Sequence, residues 1–130
     1  ERYSLNNKIK FIDHCKEMPL AYSLADVVVS SSIEPEAFGR VAVEAQSMAK
    51  PIIASNIGGS KETILNKKSG FLYKYDDPRE LAKSLNTVIQ LSQDDLQTMG
   101  NEGRKNITKK FDVETMCDTN LNEYKKLLKI

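Results

Sequence analysis

Short continuous apolar runs alternate along the chain with stretches in which apolar residues recur every three or four positions. The runs read as strands and the spaced stretches as helices. Lys8 to Ile12 alternates, with Ile9 and Phe11 on one face, and is expected to form a short strand. Asp13 to Met18 is a loop. Pro19 to Ala25 fits a short helix opened by its proline, with Leu20 and Leu24 on one face. Val27 to Val29 is β-branched throughout, as in a strand covered on both faces. A turn from Ser31 to Phe38, with Pro35 at its middle, leads to a helix over Gly39 to Ala49 whose buried stripe is Val41, Ala45, Met48 and Ala49. Pro51 stops that helix because its nitrogen carries no hydrogen to donate.

Ile52 to Ser55 is the next strand, followed by a glycine turn at Asn56 to Ser60 and a short helix at Lys61 to Leu65. Asn66 to Gly70 is a polar turn and Phe71 to Tyr73 a strand. Asp77 caps a helix with Pro78 in its first turn; it runs to about Leu91 on Leu81, Leu85, Val88 and Ile89. Ser92 and Asp95 form a capping box for a helix whose core face is Leu96, Met99 and Ile107, and which Gly100 and Gly103 weaken. Asp112 caps a last helix, Val113 to Lys129. Its apolar positions, Met116, Leu121, Tyr124, Leu127 and Leu128, are expected to pack on the chain's own sheet, with docking on a partner domain outside these residues as the alternative. The alternation of strands and helices predicts an α/β fold: a Rossmann-like parallel sheet flanked by helices, ending in two or three helices. Val27 to Val29 and Ile52 to Ser55 should be adjacent and parallel, with Glu36 at their C-terminal edge, where open parallel sheets bind ligands.

At 130 residues the chain is long enough for one domain. A net charge of +1, from 19 basic and 18 acidic residues, leaves no nucleic-acid footprint. No apolar run approaches the ~20 residues that span a bilayer, and no signal peptide is visible. Two cysteines, Cys15 and Cys117, make neither a disulfide framework nor a four-ligand zinc site, and suit a reducing cytosol. His14 and Cys15 are neighbours in an extended segment, so their side chains diverge and form no catalytic pair. Glu1 to Asn7 reads as the end of an earlier element, so a fragment of a longer protein is expected.

The chemistry gathers around the central turn and helix. Glu34, Glu36 and Glu44 fall there. At about 100° per residue, Glu44 lies about 40° from Met48 on the wheel, at the margin of the apolar face. A charge in that place needs a partner. Glu36 precedes the helix N-terminus, where peptide dipoles favour anions. Two carboxylates at a binding edge can accept hydrogen bonds from hydroxyls. Backbone N–H groups near Phe38, Gly39 and Arg40 can meet an anion, and Gly58-Gly59 opens a second helix with the same kind of cradle. The ligand so described is polyhydroxylated and phosphorylated, as a nucleotide-sugar is. The plainer alternative is that Glu36 only complements the dipole and Glu44 bends to solvent. No G-x-G-x-x-G or Walker loop is present.

Glu36 and Glu44, with Phe38-Gly39, Lys50-Pro51, Gly58-Gly59 and Gly70 in register, resemble the E-x7-E pattern of retaining glycosyltransferases of the GT-B fold, in particular family 4, also called glycosyl transferases group 1. The resemblance runs from Lys8 to about Tyr124. It implies the C-terminal, donor-binding domain of such an enzyme, transferring a glycosyl group with retention of configuration in the synthesis of cell-envelope polysaccharide, lipopolysaccharide or glycolipid. By that likeness Glu36 holds the donor sugar near the reacting carbon, Glu44 grips the ribose, Ala37, Phe38, Gly39 and Arg40 line sugar and diphosphate, Gly58 and Gly59 add backbone contacts, and Asp13 and His14 lie beside the base. No metal or other cofactor is implied; the partners are a nucleotide-sugar donor and a sugar or lipid-linked acceptor held by an N-terminal domain outside these residues. The implied location is cytoplasmic, at the inner face of the membrane in one version.

The upstream Arg and Lys that hold the diphosphate in this family are outside the 130 residues, so the chain alone is expected to be inactive. Asp13 stands where the family usually has glycine, and Ala49 where a glycine often ends the helix. His14 has the alternative of an exposed loop residue, Arg40 that of a side chain lying over the helix surface, and Glu62 that of a dipole or capping residue. Lys125, Lys126 and Lys129 form a solvated face or, alternatively, a peripheral membrane contact. Two further classes remain open from the residues: a nucleotide-sugar epimerase of the same fold, and a binding module that transfers nothing.

Overall fold

The computed structural model describes residues 5 and 7–129. Among them, three parallel strands lie in the order β1 (Val28–Ser30), β2 (Ile52–Ser55), β3 (Gly70–Tyr73). Val29 stands opposite Ile53, and Ile53 opposite Phe71. A parallel neighbour can be reached only by a crossover out of the sheet. Helix α2 (Arg40–Ser47) makes the first crossover and the short α3 (Ser60–Thr63) the second. Helix α1 (Met18–Ser23) precedes β1, and α4 (Pro78–Ile89), α5 (Gln93–Lys110) and α6 (Val113–Leu128) follow β3.

The middle strand carries the core. Ile52, Ile53, Ala54 and Ser55 are all buried. Side chains on a strand alternate between faces, and two clusters follow from that. Ile52 and Ala54 join Tyr22, Ala42, Ala45 and Ile64 on one face; Ile53 joins Tyr73 and Val88 on the other, with Leu81, Leu85 and Leu96 packed against them. All three caps read from the sequence form, Asp112 accepting from the Thr115 N–H at the start of α6. Asp77 accepts hydrogen bonds from the Arg79 and Glu80 N–H groups, and Ser92 and Asp95 make the reciprocal capping box.

Several expectations are corrected. Residues 8–12 form no strand: the Lys8 N–H turns back to the Leu5 carbonyl at 2.8 Å, and Phe11 is 93% exposed. Alternation supplies a face but no ladder partner, and among the described residues β1 pairs only with β2. Leu20 in α1 and Leu24 just past it are exposed and Tyr22 is the buried residue, because six residues are too few to form a stripe and one ring anchors them. Val29 is 40% exposed, so the outer strand is not covered on both faces. In α2 the buried residues are Ala42, Ala45 and Gln46, while Val41, Met48 and Ala49 are half-buried. Helix α6 buries no residue, and its apolar positions, Leu127 and Leu128 included, face outward instead of packing on the sheet. The expectation for Glu1 to Asn7 falls mostly outside the described residues.

The rotation of α2 has a visible cause in α5. A Cβ on Gly100 would lie 1.9 Å from the Ala49 carbonyl oxygen, and one on Gly103 would lie 3.0 Å from Gln46 Cγ. The two glycines expected to weaken α5 are where it meets α2 most closely. A buried polar node ties in the third helix: the Thr63 carbonyl accepts from Gln46 Nε2 at 3.1 Å and from Asn106 Nδ2 at 3.0 Å. Ala49, just past α2, is left-handed at φ +54°.

Opposite stability changes are expected on the two sides of this contact. Ala49→Gly should stabilise the fold by about 1 kcal/mol, since glycine meets no penalty at positive φ. Gly100→Ala should destabilise it by about 2 kcal/mol or more, although alanine is the better helix former, because the added methyl collides with backbone. Urea unfolding of the two variants beside the parent chain checks both signs.

Candidate functional site

The loop between β1 and α2 and the loop after β2 meet at the C-terminal edge of the sheet. The Gly59 N–H donates to the Glu36 carbonyl at 2.8 Å. A Cβ on Gly58, at φ +55°, would lie 2.4 Å from that same carbonyl oxygen, and one on Gly59 would lie 2.5 Å from the Phe38 carbonyl carbon. Backbone therefore rests on backbone, and Glu36 is fixed at the edge where the sequence pattern put it. The Gly59 N–H is used in doing so, so what Gly58-Gly59 does here is seat the Glu36 loop.

The Glu36 side chain is exposed, and Oε1 accepts from Ser32 Oγ at 2.5 Å. That leaves most of an ionised carboxylate's accepting capacity to a ligand. Gly39, at φ +74°, turns the chain into α2, whose first turn has no side-chain cap. Those N–H groups carry the positive end of the helix dipole. Ala37 is exposed beside them, and Phe38, 43% exposed, meets Phe111 edge to face with centroids 5.7 Å apart.

Glu44 has the partners that its place at the apolar margin requires. Oε2 accepts from the Tyr22 hydroxyl at 2.9 Å, and Oε1 from Arg40 Nε at 3.3 Å and Nη2 at 3.1 Å. It is half-buried, its side chain 34% exposed against 83% for Arg40. An open cleft of about 360 Å³ lies beside it, walled by Met18, Pro19, Tyr22 and Met48. Burial, then the Glu44 hydrogen bond and charge, push the Tyr22 phenol from 10.0 up to about 12, against an opposing pull from Arg40. Arg40 thus lies over Glu44 in this state. Asp13 and His14 are exposed in the irregular segment ahead of α1, and among the described residues no hydrogen bond or ion pair joins them to either glutamate. Glu62 sits in the first turn of α3, and Lys126 pairs with Glu123 at 2.7 Å on α6.

Sequence reasoning missed Tyr22, Ser32 and Phe111. Tyr22 carried a signal, being the one residue of α1 with both a large ring and a hydroxyl, but the leucine spacing drew the helix face elsewhere. Ser32 stands four residues before Glu36 inside the turn, a spacing that only the folded turn makes into a contact. Phe111 adjoins Asp112, the cap of α6, and nothing local points it at Phe38.

The model of the glycosyl transferases group 1 family matches residues 1–106. Spore coat protein SA of Bacillus subtilis is 30% identical over 85% of this chain and 29% of its own length, and the capsular polysaccharide biosynthesis glycosyltransferase CapM of Staphylococcus aureus is 29% identical over 91% and 32%. The chain thus spans about a third of the length of these curated relatives. Among solved structures, a glycosyltransferase from Rickettsia africae superposes with a TM-score of 0.88 at 36% identity, over 96% of this chain and 33% of that one. HepE of Anabaena, in complex with UDP and glucose, superposes with a TM-score of 0.86 at 31% identity, over 95% and 33%.

The Tyr22 environment predicts an alkaline weakness. A phenol whose pKa is higher folded than unfolded adds stability that is complete below pH 10 and is lost as pH rises through about 12. Denaturant unfolding measured across that window should show stability falling, and falling less steeply in Tyr22→Phe. Some slope should remain in the variant, because burial also raises the Tyr73 phenol.

Proposed function

Because the chain belongs to the glycosyl transferases group 1 family, we propose that it forms the nucleotide-sugar donor site of a retaining GT-B glycosyltransferase of family 4. In this reading it is the C-terminal domain of a longer enzyme whose N-terminal domain binds the acceptor. Glu36 takes the hydroxyls of the donor sugar, and Glu44 takes the ribose. The uncapped first turn of α2, with Arg40, faces the diphosphate and stabilises the charge that builds on it as the glycosidic bond breaks. The site asks for no metal, since helix dipole and guanidinium supply the positive charge. Similarity to CapM favours an acceptor in cell-envelope polysaccharide or glycolipid synthesis, and with it work in the cytoplasm at the inner face of the membrane. Among the described residues no helix is long and apolar enough to cross a membrane.

One observation carries the reading. Glu36 presents a largely unengaged carboxylate from a loop seated on Gly58-Gly59, while Glu44, a short way along the following helix, is half-buried and held by two donors. A carboxylate kept only for stability would not be fixed in the open at a sheet's binding edge. Only contacts that strengthen in the transition state speed the reaction, and Glu36, nearest the helix start where the diphosphate departs, is placed for that.

The two glutamates should separate in the enzyme that carries this chain. Glu44→Gln should weaken a nucleoside diphosphate and its sugar conjugate alike, by about ten-fold, the worth of a charge-assisted hydrogen bond. Glu36→Gln should leave the nucleoside diphosphate's affinity intact and lower the rate of transfer. Titration calorimetry and a turnover assay read these separately. Unchanged affinity and turnover in both variants would remove the assignment.

A further inference from the structure

We propose that Tyr22 is a positioning residue for nucleotide recognition: it holds one oxygen of Glu44 so that the other meets the adjacent hydroxyls of a ribose, and it thereby sets a preference for ribose over deoxyribose. The proposal rests on Glu44 being the ribose ligand, as argued above.

The two partners of Glu44 are unequal. Arg40 lies on Oε1 from an outward-facing side chain that is 83% exposed. Surface ion pairs of this kind add little stability, so the guanidinium is free to leave for an incoming phosphate. Tyr22 lies on Oε2, and its ring is 6% exposed, packed with Ala42, Ala45 and Ile52 in the core beneath α2. It cannot follow the carboxylate elsewhere. When a nucleotide arrives, Oε1 is the oxygen that comes free and Oε2 the one that stays held.

That asymmetry matters because a carboxylate's terminal torsion is broad when unrestrained. A free carboxylate samples many orientations, and a ligand must freeze one of them. One fixed in advance presents its open lone pairs in a single direction, and preorganisation of this kind strengthens binding by removing an ordering cost. The gain is greatest for a ligand that uses the geometry fully. A ribose offers two adjacent hydroxyls to the freed oxygen, and a 2′-deoxyribose offers one. The phenol keeps its proton at any physiological pH, because burial and Glu44 push its pKa to about 12, so it remains the donor of the pair. Met18, Pro19 and Met48 wall the cleft beside Glu44, which leaves room there for a ligand.

The test is Tyr22→Phe, which keeps the ring in the core and removes only the hydroxyl. Titration calorimetry is run on the enzyme that carries this chain, with UDP, ADP and GDP and with the 2′-deoxy form of each. The parent enzyme is expected to favour the ribonucleotide it binds. In the variant that nucleotide's affinity should fall about three- to ten-fold, the range for one lost hydrogen bond, with a smaller loss for the deoxy form, so that the ratio of the two shrinks. The ratio is the decisive readout. Partial unfolding of the variant lowers both affinities alike and leaves it unmoved, as would a purely structural role for Tyr22. A shrunken ratio supports the proposal, and an unchanged one overturns it while leaving the donor-site reading intact. Failure of the parent enzyme to bind any of the three nucleotides overturns that reading and the proposal with it.

Discussion

The site depends on a contact between two stretches of main chain. The loop before α2 lies directly on Gly58 and Gly59, with the Gly59 N–H bonded to the Glu36 carbonyl and no room for a β-carbon at either glycine. Side chains move among rotamers, whereas backbone packed on backbone does not. The Glu36 carboxylate is therefore mounted on the most rigid support that a loop can have. Strand β2 sets the position of that support, because its four residues are buried and it runs directly into the glycine turn.

A second constraint orients α2, and through it Glu44. Helix α5 approaches α2 at Gly100 and Gly103, and the Thr63 carbonyl gathers hydrogen bonds from Gln46 on α2 and Asn106 on α5. Buried polar groups of this kind specify one packing more sharply than apolar ones, because any other leaves them unpaired. Gln46 donates to two carbonyls, while its own Oε1 has no protein partner. With Ala42, Ala45 and Gln46 turned inward, Glu44 is carried to the edge of the core, within reach of Tyr22. The left-handed Ala49 is the strained position at which the chain leaves this arrangement.

The two carboxylates are therefore held by different means suited to different work. Glu36 is fixed through its backbone and keeps its side chain open. Glu44 is fixed through its side chain, between a buried phenol and an exposed guanidinium. The first arrangement presents a charge, and the second orients one.

The sequence by itself determined what depends on local spacing. Ile52 to Ser55 is a strand at the stated bounds, Asp77 and the Ser92–Asp95 box cap their helices, and Glu36 falls at the C-terminal edge of parallel strands, because runs, caps and crossovers are set by residues close in the chain. The need of Glu44 for a partner was legible too, from its angle on the wheel. Which partner was not: Tyr22 lies 22 positions away, and leucine spacing misdirected the reading of α1. Gly100 and Gly103 read as weak points because propensity is a property of one helix, whereas their use is a property of two. The apolar residues of α6 and of residues 9–12 promised burial that the described fold does not give. A hydrophobic pattern states that a face is to be covered; only the arrangement of elements in space decides what covers it, since the partner's surface is written elsewhere in sequence.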